Sequence, residues 1–460
     1  MRRRVISTHL TFWVEPSVAF SALCGGEGPA FWLDSGAGAS SGMSCMGSGS
    51  REVTSSSDGG VFEPGSGTRH DLSIFDFLRA EQKNRAIDSG GSPFPLGWVG
   101  WLGYELHTAT LGTVGGRTSR YPDAAFQFAD RAVVFDHGSR TVSLVIAADS
   151  WTAEAATWRD ETTSALSALE GGRERPAGEP PAAAHEPEWA HTDDEYLAMI
   201  RECQQRIRAG DAYQLCLTTQ ISARVNADPM ETFLRLRALS PSHHGGYLRC
   251  AGVSLLSSSP EQFLSVSPEG EVESKPIKGT RKRGATAKED RDLRQELVTS
   301  DKERAENLMI VDLVRNDLSR VCEVGSVSVP HLLEVESYAQ VHQLVSTVRG
   351  TLAQGRDPVD AVFACFPAGS MTGAPKISAV QILDELEGRA RGIYSGAFGY
   401  FGLDGSVDLA MVIRSIIVDD RGATIGTGGG ITALSVPEAE LEETRVKAHA
   451  LLRALGLVTL

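Results

Sequence analysis

The sequence has few of the features that mark secreted or membrane-spanning proteins. Its 460 residues include seven cysteines, an odd number, and no two of them form a CxxC pair. This usage argues against a disulfide framework or a cysteine zinc site and is typical of reduced thiols. No apolar run reaches the roughly 18 residues that a membrane-spanning helix needs. We therefore expect a cytoplasmic protein with no membrane partner.

Positive charge is also scarce. The chain has 44 Lys and Arg residues against 59 Asp and Glu residues, a formal net charge of −15. A surface of this sign does not attract nucleic acid, so no nucleic-acid partner is expected. An anionic small molecule would have to be bound by a local group of cations. With 41% apolar residues, the chain has enough material for two lobes or one large α/β unit.

The first 185 residues carry few chemical signals. Strand-like runs occur at 31–36 and 96–106. From Ser35 to about Gly67 the chain is rich in Ser and Gly and poor in large apolar residues, which predicts a disordered insert. Pro, Gly and charged residues at 171–190 predict a linker. We therefore divide the chain into an N-terminal portion, 1–185, and a C-terminal portion, 186–460.

Helix signals are clearer in the C-terminal portion. Thr192 with Glu195, and Ser300 with Glu303, each fit a capping box at the start of a helical repeat. A last helix is predicted to begin near Pro437. Strand and helix signals alternate between these points, so we expect an α/β or α+β protein.

One basic segment stands out against the acidic background. The run KPIKGTRKRG at 275–284 contains five cations, and taken alone it is typical of a solvated surface loop. Pro276 favours extended backbone, while Gly279 and Thr280 fit a tight turn with bare N–H groups. Lys278 lies at this turn, where it could meet a substrate.

Two pairs of acidic residues have the spacing of a helix face. Glu303 and Glu306 lie three residues apart in one predicted helix, and Glu440 and Glu443 lie three apart in another. Two such faces brought together would offer the carboxylate oxygens that Mg²⁺ prefers. Solvated helix faces, and for Glu303 a capping box, explain the spacing equally well, so both interpretations stay open.

Arg414 lies in the apolar run LAMVIRSIIV, which predicts a buried strand. A buried guanidinium needs an anion, and a protein carboxylate and a ligand carboxylate are equally compatible with the pattern. Two glycine-rich segments, 366–376 and 426–432, could direct backbone N–H groups at an anion, although tight turns also explain them. Neither segment matches a Walker or dinucleotide motif.

Eight motifs follow one another over about 190–450: GDAYQ, SPEQFL, PIKGT, ERAENLMIVDLVRNDLSRV, GSMTGAPK, IYSGAFGYF, DLAMVIRSI and GTGGGIT. Together they resemble the chorismate-utilising enzymes, a family that includes anthranilate, aminodeoxychorismate, isochorismate and salicylate synthases. The resemblance implies a large α/β (α+β) sandwich of two packed β-sheets with helices outside. FWLDSG and GWVGWLGYEL look like the family's more variable N-terminal portion.

The resemblance also implies roles for single residues. Glu306 and Glu443 would bind Mg²⁺, with Glu303 and Glu440 beside them. Glu261 would be the general acid that protonates the departing hydroxyl at carbon 4 of chorismate, which requires a pKa raised by burial. The other implied substrate contacts are Gly279, Thr280, Ser370, Tyr394, Arg414, Gly428, Gly430 and Lys447.

Two positions separate the branches of the family. Water-adding members carry a lysine base where this chain has Gln214, and an amide cannot deprotonate water, so ammonia is the expected nucleophile. Anthranilate synthases resemble PIAGT where this chain has PIKGT. Lys278 is therefore expected to attack carbon 2 as a neutral amine, as in the aminodeoxychorismate branch. Ammonia would then enter at carbon 4, and the enolpyruvyl group would be kept.

The resemblance extends to partners and leaves alternatives. Anthranilate-type members have histidine at the position of Gln343, whereas His342 lies one place earlier here, which agrees with an enzyme that retains pyruvate. No Gly-x-Cys-x-Gly turn occurs in the sequence, so we expect a separate glutamine amidotransferase subunit, or free ammonium, to supply ammonia. The expected function is a chorismate aminase of the aminodeoxychorismate type. Anthranilate synthase component I, 2-amino-2-deoxyisochorismate synthase and an inactive chorismate-binding regulatory subunit are the alternatives.

Overall fold

The computed structural model describes residues 4–56, 59–113, 117–173, 177–180, 185–338 and 341–458. The predicted linker at 171–190 lies partly outside these residues. None of the helices within them is long and apolar enough to cross a membrane.

Helices are distributed along the whole described chain. Their bounds are α1 Pro16–Cys24, α2 Ile74–Asn84, α3 His107–Leu111, α4 Ala153–Ser167, α5 Asp193–Ala209, α6 Pro229–Leu239, α7 Ala287–Thr299, α8 Asp301–Ser319, α9 Pro358–Cys365, α10 Lys376–Glu387 and α11 Pro437–Ala454. Short 3₁₀ turns span Tyr104–Leu106 and Gly369–Met371.

The described residues also form 24 strands. Their bounds are β1 Val5–Leu10, β2 Ala30–Asp34, β3 Met43–Gly47, β4 Glu52–Ser55, β5 Val61–Glu63, β6 Thr68–His70, β7 Gly97–Leu102, β8 Ala124–Ala129, β9 Arg131–Asp136, β10 Thr141–Ala147, β11 Glu188–Trp189, β12 Gln214–Ala223, β13 His244–Cys250, β14 Val253–Ser259, β15 Gln262–Val266, β16 Glu271–Ser274, β17 Ile277–Lys282, β18 Ser328–Ser337, β19 Val341–Thr351, β20 Gly373–Ala374, β21 Ala397–Gly402, β22 Val407–Met411, β23 Ser415–Asp419 and β24 Gly422–Ile431.

These strands form two 12-stranded sheets. The first has the order β1-β10-β9-β3-β2-β13-β14-β23-β24-β12-β11, with β20 also paired to β12. The second has the order β17-β19-β16-β15-β22-β21-β7-β8-β4-β5-β6, with β18 also paired to β19. Strands from before and after residue 185 occur in both sheets, so both portions of the chain build the same framework. The boundary at 185 itself stays a prediction.

The two sheets pack face to face, which confirms the predicted sandwich. Phe31 and Leu255 of the first sheet share a buried apolar cluster with Trp101, Phe126 and Phe398 of the second. A separate cluster covers the outer face of the first sheet, where helices α1, α6 and α11 contribute apolar side chains. Because each sheet has an apolar face, stacking the sheets and covering the outer face with helices removes that surface from water.

The prediction of a disordered insert at 35–67 is wrong for its described residues. Strands β3, β4 and β5 lie within it, and Val53 and Val61 are fully buried. Small side chains do not prevent pairing, because strand ladders are made by backbone groups. Here β3 pairs with both β2 and β9 and fills a position inside the first sheet. Composition could not reveal these distant partners.

Of the two predicted capping boxes, only one forms. At α5 the Thr192 hydroxyl accepts the Glu195 N–H, and the Glu195 carboxylate accepts the Thr192 N–H. The box at Ser300 is wrong, because the Ser300 side chain makes no cap hydrogen bond at the start of α8. Glu303 instead accepts a hydrogen bond from Arg281 at 3.0 Å. The last helix begins at Pro437, as predicted.

Close contact between the sheets gives a test of the fold. A Cβ atom at Gly246 on β13 would lie 2.6 Å from a ring carbon of Phe398 on β21. We expect Gly246→Ala to lower the free energy of unfolding by about 1–3 kcal/mol, because the extra atom forces packed groups apart. Urea denaturation measures this change. Gly26→Ala, where a Cβ meets nothing within 4 Å, is the matched control. Equal stability of the two variants would contradict the close contact between Gly246 and Phe398.

Candidate active site

Lys278 lies on strand β17, not in the tight turn predicted from the sequence. In the pairing of β17 with β19, Ile277 is opposite Val345 and Thr280 is opposite Gln343. Two residues of β17 therefore stand against one of β19, which is a β-bulge at Lys278 and Gly279. Gly279 has φ +85°, a conformation that glycine adopts without strain. The bulge takes Lys278 out of the regular ladder.

Most of the basic segment is neutralised by acidic residues. Lys275 pairs with Glu273 at 3.1 Å, and Arg283 pairs with Asp290 of helix α7 at 2.7 Å. Arg281 contacts carboxylates of both α7 and α8. By contrast, the half-buried Lys278 has neither a hydrogen bond nor an ion pair with any side chain in the described part of the chain. Its amine is therefore available to a ligand.

Glu261 lies between β14 and β15 with only 7% of its surface exposed. Burial raises the pKa of this carboxyl to about 7, although Lys278, the Ser370 hydroxyl and the Ile277 backbone N–H partly oppose the shift. Ser370 is buried in the 3₁₀ turn Gly369–Met371. The raised pKa agrees with the sequence-based expectation, because the carboxyl keeps its proton near neutral pH and is able to donate it.

The predicted metal ligands lie on two facing helices. Glu306 of α8 is 9% exposed, and its buried Oε1 has no hydrogen-bond partner among the residues that the structure describes. Burial raises the pKa of Glu306, and Glu440 and Glu443 of α11 add to the shift. A Cβ atom at Gly429 of β24 would lie 3.4 Å from Glu440 Oε2 and 4.0 Å from Glu443 Oε1. The carboxylates of the two helices therefore border one region of the site.

Lysines and an arginine contact all four of these carboxylates, and the longest of the contacts joins Lys302 to Glu306 Oε1, at 3.9 Å. Lys302 donates to Glu440 at 2.9 Å, Lys447 pairs with Glu443 at 2.7 Å, and Arg281 bonds Glu303. Burial favours a higher pKa for Glu443, but Lys447 and other lysines outweigh it and lower the pKa.

The described residues contain no group of three or more His, Cys, Asp or Glu arranged to hold a metal. Magnesium needs less, because one or two carboxylates with waters and substrate oxygens satisfy it. Glu306, whose buried Oε1 makes no hydrogen bond among the described residues, and Glu443, with 49% of its side chain exposed, fit that requirement. Glu303 and Glu440 would take a supporting place, as the family resemblance implies.

Gln214 opens strand β12 and is almost fully buried. Neither its amide oxygen nor its amide nitrogen has a hydrogen-bond partner among the described residues. A Cβ atom at Gly430 of β24 would lie 2.4 Å from Gln214 Nε2, so glycine at that position makes room for the amide. Leaving two buried polar atoms unbonded is costly. A polar ligand that bonds both atoms would remove this cost.

Arg414 lies in the link between β22 and β23, so the prediction that it belongs to a buried strand is wrong. The two strands belong to different sheets, and the chain crosses from one sheet to the other at this link. Arg414 has φ +51°, which is unusual for a residue other than glycine. Burial lowers the pKa of its guanidinium, partly opposed by Tyr394 and Glu443. Its side chain has no hydrogen-bond or ion-pair partner in the described ranges, so it is free to bind an anion.

The glycine-rich segment at 426–431 forms the end of β24 and is not a turn. Thr218 and Cys216 of β12 lie opposite Gly428 and Gly430. The Gly428 carbonyl accepts a hydrogen bond from Lys447 at 2.9 Å, which ties α11 to the strand. A Cβ atom at Gly426 would fall 2.1 Å from the Tyr394 ring. These glycines therefore permit close approach of side chains to the strand.

His342 and Gln343 point to opposite faces of β19, because side chains of adjacent strand residues alternate between the two faces. His342 is buried between the Ser337 hydroxyl, at 2.8 Å, and Asp290, at 3.0 Å. Gln343 is opposite Thr280, and its Oε1 is buried without a partner among the described residues. The histidine therefore braces helix α7, and the amide takes the other face.

Two groups that support the site were missed at the sequence level. Asn307 of α8, fully buried, donates to the carbonyls of Pro276 and Leu344 and accepts a hydrogen bond from Ser346. It thereby holds β17 and β19 together beside the bulge. Its position between Glu306 and the apolar run LMIV was the signal in the sequence.

The second group is an ion pair between Arg391 and Glu387, both almost fully buried. Arg391 donates to the backbone carbonyls of Met371 and Cys216, and Glu387 accepts the Thr218 N–H. The pair therefore joins α10, β12 and the turn that carries Ser370.

The predicted site residues form one connected cluster. Lys278 acts electrostatically on Glu261, Glu306 and Glu443. Glu443 in turn acts on Arg414, which lies near Tyr394. Thr280 is exposed at the edge, beyond the bulge. An acid, an amine, carboxylates and a free guanidinium are thus brought together, a set that suits a small dicarboxylic substrate.

Comparison with known proteins identifies the class. The family model for chorismate binding enzymes matches residues 28–453. The chain belongs to this family.

Among its relatives, an aminodeoxychorismate synthase of Streptomyces griseus is 44% identical over 99% of this chain. An anthranilate synthase component 1 of Streptomyces coelicolor is 38% identical over 96% of this chain and 86% of its own length. The crystal structure of anthranilate synthase component I from Streptococcus pneumoniae superposes with a TM-score of 0.75 at 28% identity, covering 95% of this chain and 97% of that one. The chain spans about half to two thirds of four relatives named aminodeoxychorismate synthase, 46% to 64% of their lengths.

The buried carboxyl of Glu261 predicts a specific effect of pH on stability. Because its folded-state pKa of about 7 lies above the ordinary 4.5, its contribution to stability is present below about pH 4.5 and is lost as the pH rises to about 7. Glu261→Gln removes this loss. Relative to the wild type, the variant should gain up to about 3 kcal/mol in free energy of unfolding between pH 4.5 and pH 8.

Urea denaturation at both pH values measures the difference. Glu269→Gln, at an exposed turn, is the control and should show the same stability relative to the wild type at both pH values. A pH-independent difference for Glu261→Gln would contradict the raised pKa.

Proposed function

We propose that the protein is the aminase component of an aminodeoxychorismate synthase, which converts chorismate and ammonia to 4-amino-4-deoxychorismate. The observation that carries the proposal is Lys278, a half-buried amine without a hydrogen-bond or ion-pair partner among the described residues, which acts electrostatically on Glu261, Glu306 and Glu443. The 44% identity to a relative of that name supports it.

In the first proposed step, Lys278 acts as the nucleophile. Its neutral amine forms a bond to carbon 2 of chorismate, both ring double bonds shift, and the bond between carbon 4 and its hydroxyl oxygen breaks. Glu261 gives its proton to that hydroxyl, which leaves as water. Arg414, which forms no ion pair within the described part of the chain, would hold a carboxylate of the substrate.

In the second step, ammonia forms a bond to carbon 4, both ring double bonds shift back, and the lysine leaves carbon 2 as an amine. The Gln214 amide oxygen, which has no hydrogen-bond partner among the described residues, would accept a hydrogen bond from ammonia and orient it. A glutamine amidotransferase is the proposed source of ammonia. The enolpyruvyl group is untouched, so no pyruvate forms.

Magnesium is part of the proposal because the residues suit it. Glu306 and Glu443 would hold the ion, and Glu303 and Glu440 would support them. When bound, Mg²⁺ would neutralise and orient a carboxylate of chorismate. Lys302 and Lys447 balance the charge of the acidic residues around it.

The second candidate function is that of anthranilate synthase component I, favoured by the relative from Streptomyces coelicolor. That reaction releases pyruvate and gives an aromatic product, and its enzymes resemble PIAGT, without the lysine. An inactive regulatory subunit is disfavoured, because a module that only binds chorismate has no use for a buried acid beside a free amine.

The product assay tests the proposal directly. Purified protein with chorismate, Mg²⁺ and ammonium salt should form aminodeoxychorismate without pyruvate, measured by chromatography and a coupled pyruvate assay. Stoichiometric pyruvate with anthranilate would favour the second candidate. Isochorismate as the main product would contradict the role of Gln214.

Lys278→Ala tests the covalent role separately. We expect it to lower the rate of aminodeoxychorismate formation at least about 100-fold, because the nucleophile is lost. Lys282→Ala removes an exposed lysine from the same strand and should keep the wild-type rate. A wild-type rate in Lys278→Ala would exclude the adduct.

The metal is tested on α8. Treatment with a chelator should abolish activity, and added Mg²⁺ should restore it. Glu306→Gln should raise the Mg²⁺ concentration needed for half activity at least about tenfold, because it removes a charged ligand. Asp312→Asn, at an exposed position of the same helix, is the control. Equal Mg²⁺ dependence of the two variants would exclude Glu306 as a ligand.

A further inference from the structure

A small cavity lies behind Glu261, bounded by α8 and the Gly369–Met371 turn. Its volume is about 20 Å³, and a single water molecule needs roughly 10–15 Å³ of such space. Its wall includes the side chains of Glu261, Ser274, Asp317 and Ser370. A cavity of this size with several polar partners is suited to hold one ordered water.

Asp317 forms the far wall and is paired with Lys376 of α10. The ammonium lies 2.6 Å from the Asp317 carboxylate and also donates to the Cys365 carbonyl at 2.9 Å. Both side chains are at most 7% exposed. The proposed reaction uses neither residue.

Solvent lies close on the other side of this pair. An open surface groove between α2, α9 and the end of α8 is lined in part by Arg320 and Ala364. Arg320 is one helical turn beyond Asp317, and Ala364 directly precedes Cys365, which lines the cavity. Residues that line the groove are therefore close chain neighbours of Asp317 and Cys365, which line the inner cavity.

The proposed reaction gives this arrangement a use, and the inference rests on that reaction. Each turnover takes one proton from Glu261 to form water from the leaving hydroxyl. Bound substrate occupies the space in front of Glu261, next to Lys278. The carboxylate must nevertheless regain a proton before the next turnover, and the cavity contacts it from behind.

We propose that a water molecule in the cavity bridges Glu261 and Asp317 and returns this proton to Glu261. An acid in the surrounding solvent protonates the Asp317 carboxylate. Asp317 passes its proton to the water as the water gives one of its own to Glu261, so one proton moves inward and both the water and Asp317 return to their first states. Lys376 keeps its charge and holds Asp317 in place. Asp317 does not touch the substrate and acts only through Glu261, so it is a positioning residue.

The charges around the path are compatible with this role. Lys278 is the charged group that faces Glu261, and Lys376 and Arg320 face Asp317. Burial raises the pKa of Asp317, although Lys376 opposes the shift, which makes brief protonation less costly than for an exposed aspartate. Burial also raises the pKa of Cys365, so that thiol stays neutral and does not compete for the proton.

The test fills the cavity with a larger apolar side chain and leaves both Glu261 and Asp317 unchanged. Val314 of α8 lines the cavity, and Val314→Leu adds one methylene where the water would lie. Val311→Leu, buried on the same helix outside the cavity wall, is the matched control. We expect Val314→Leu to lower kcat about tenfold, part of the roughly 10²–10⁴-fold contribution of a general acid, with an unchanged KM for chorismate.

The solvent isotope effect separates proton return from a structural role. In Val314→Leu the ratio of kcat in H₂O to kcat in D₂O should rise, because proton return becomes rate-limiting, while Val311→Leu keeps the wild-type ratio. The double variant Asp317→Asn with Lys376→Met removes both charges and leaves no unpaired cation, and it should raise the ratio as well. If Val314→Leu or the double variant lowers thermal stability but leaves the isotope ratio at the wild-type value, the proposal is overturned.

Rates are measured as chorismate consumption, so the ratios hold for whichever amine product the wild type forms. The identity of the wild-type product tests the proposed function separately. A crystal structure of the wild type gives a readout without activity: an ordered water between Glu261 and Asp317, displaced in Val314→Leu, supports the path, and a dry wild-type cavity overturns it.

Discussion

The site depends on the buried ion pair between Arg391 and Glu387. Through it, α10, β12 and the turn that carries Ser370 meet at one place, with Gln214 and Tyr394 close by. Glu105 adds to this junction, because its buried carboxylate accepts the backbone N–H groups of Arg391 and Gly392. Removing one partner of such a pair leaves an uncompensated charge and costs about 3–5 kcal/mol. A fixed polar framework of this kind holds catalytic groups in position without the substrate's help.

The sequence was a good guide wherever a feature depends on neighbouring residues. The cap at Thr192, the start of the last helix at Pro437 and the ordered motifs all depend on local pattern. The residues of the candidate site were predicted from those motifs, because the order of the motifs is typical of a whole family. Glu261 shows the limit, since its residue type was visible but the burial that raises its pKa depends on segments far away in the chain.

The errors have the opposite origin. The Ser- and Gly-rich stretch forms strands because β2 and β9 lie ready to pair with β3. Ser300 loses its predicted partner because Arg281, 22 residues from Glu303, binds that carboxylate more favourably. Arg414 lies where the chain passes between sheets, a place that an apolar run cannot reveal. In each case a distant partner decided the outcome, and periodicity describes only near neighbours.

The bulge at Lys278 separates the chemistry of the site from the stability of the sheet. A regular strand position is constrained by cross-strand neighbours on its face, so a change of side chain there is felt by the whole pairing. The bulged residue has no such partner, and Gly279 rather than Lys278 supplies the unusual backbone conformation. The side chain at position 278 is thus little constrained by the pairing of the surrounding strands. A change of side chain there is therefore expected to disturb the sheet less than a change at a paired position of the same strand.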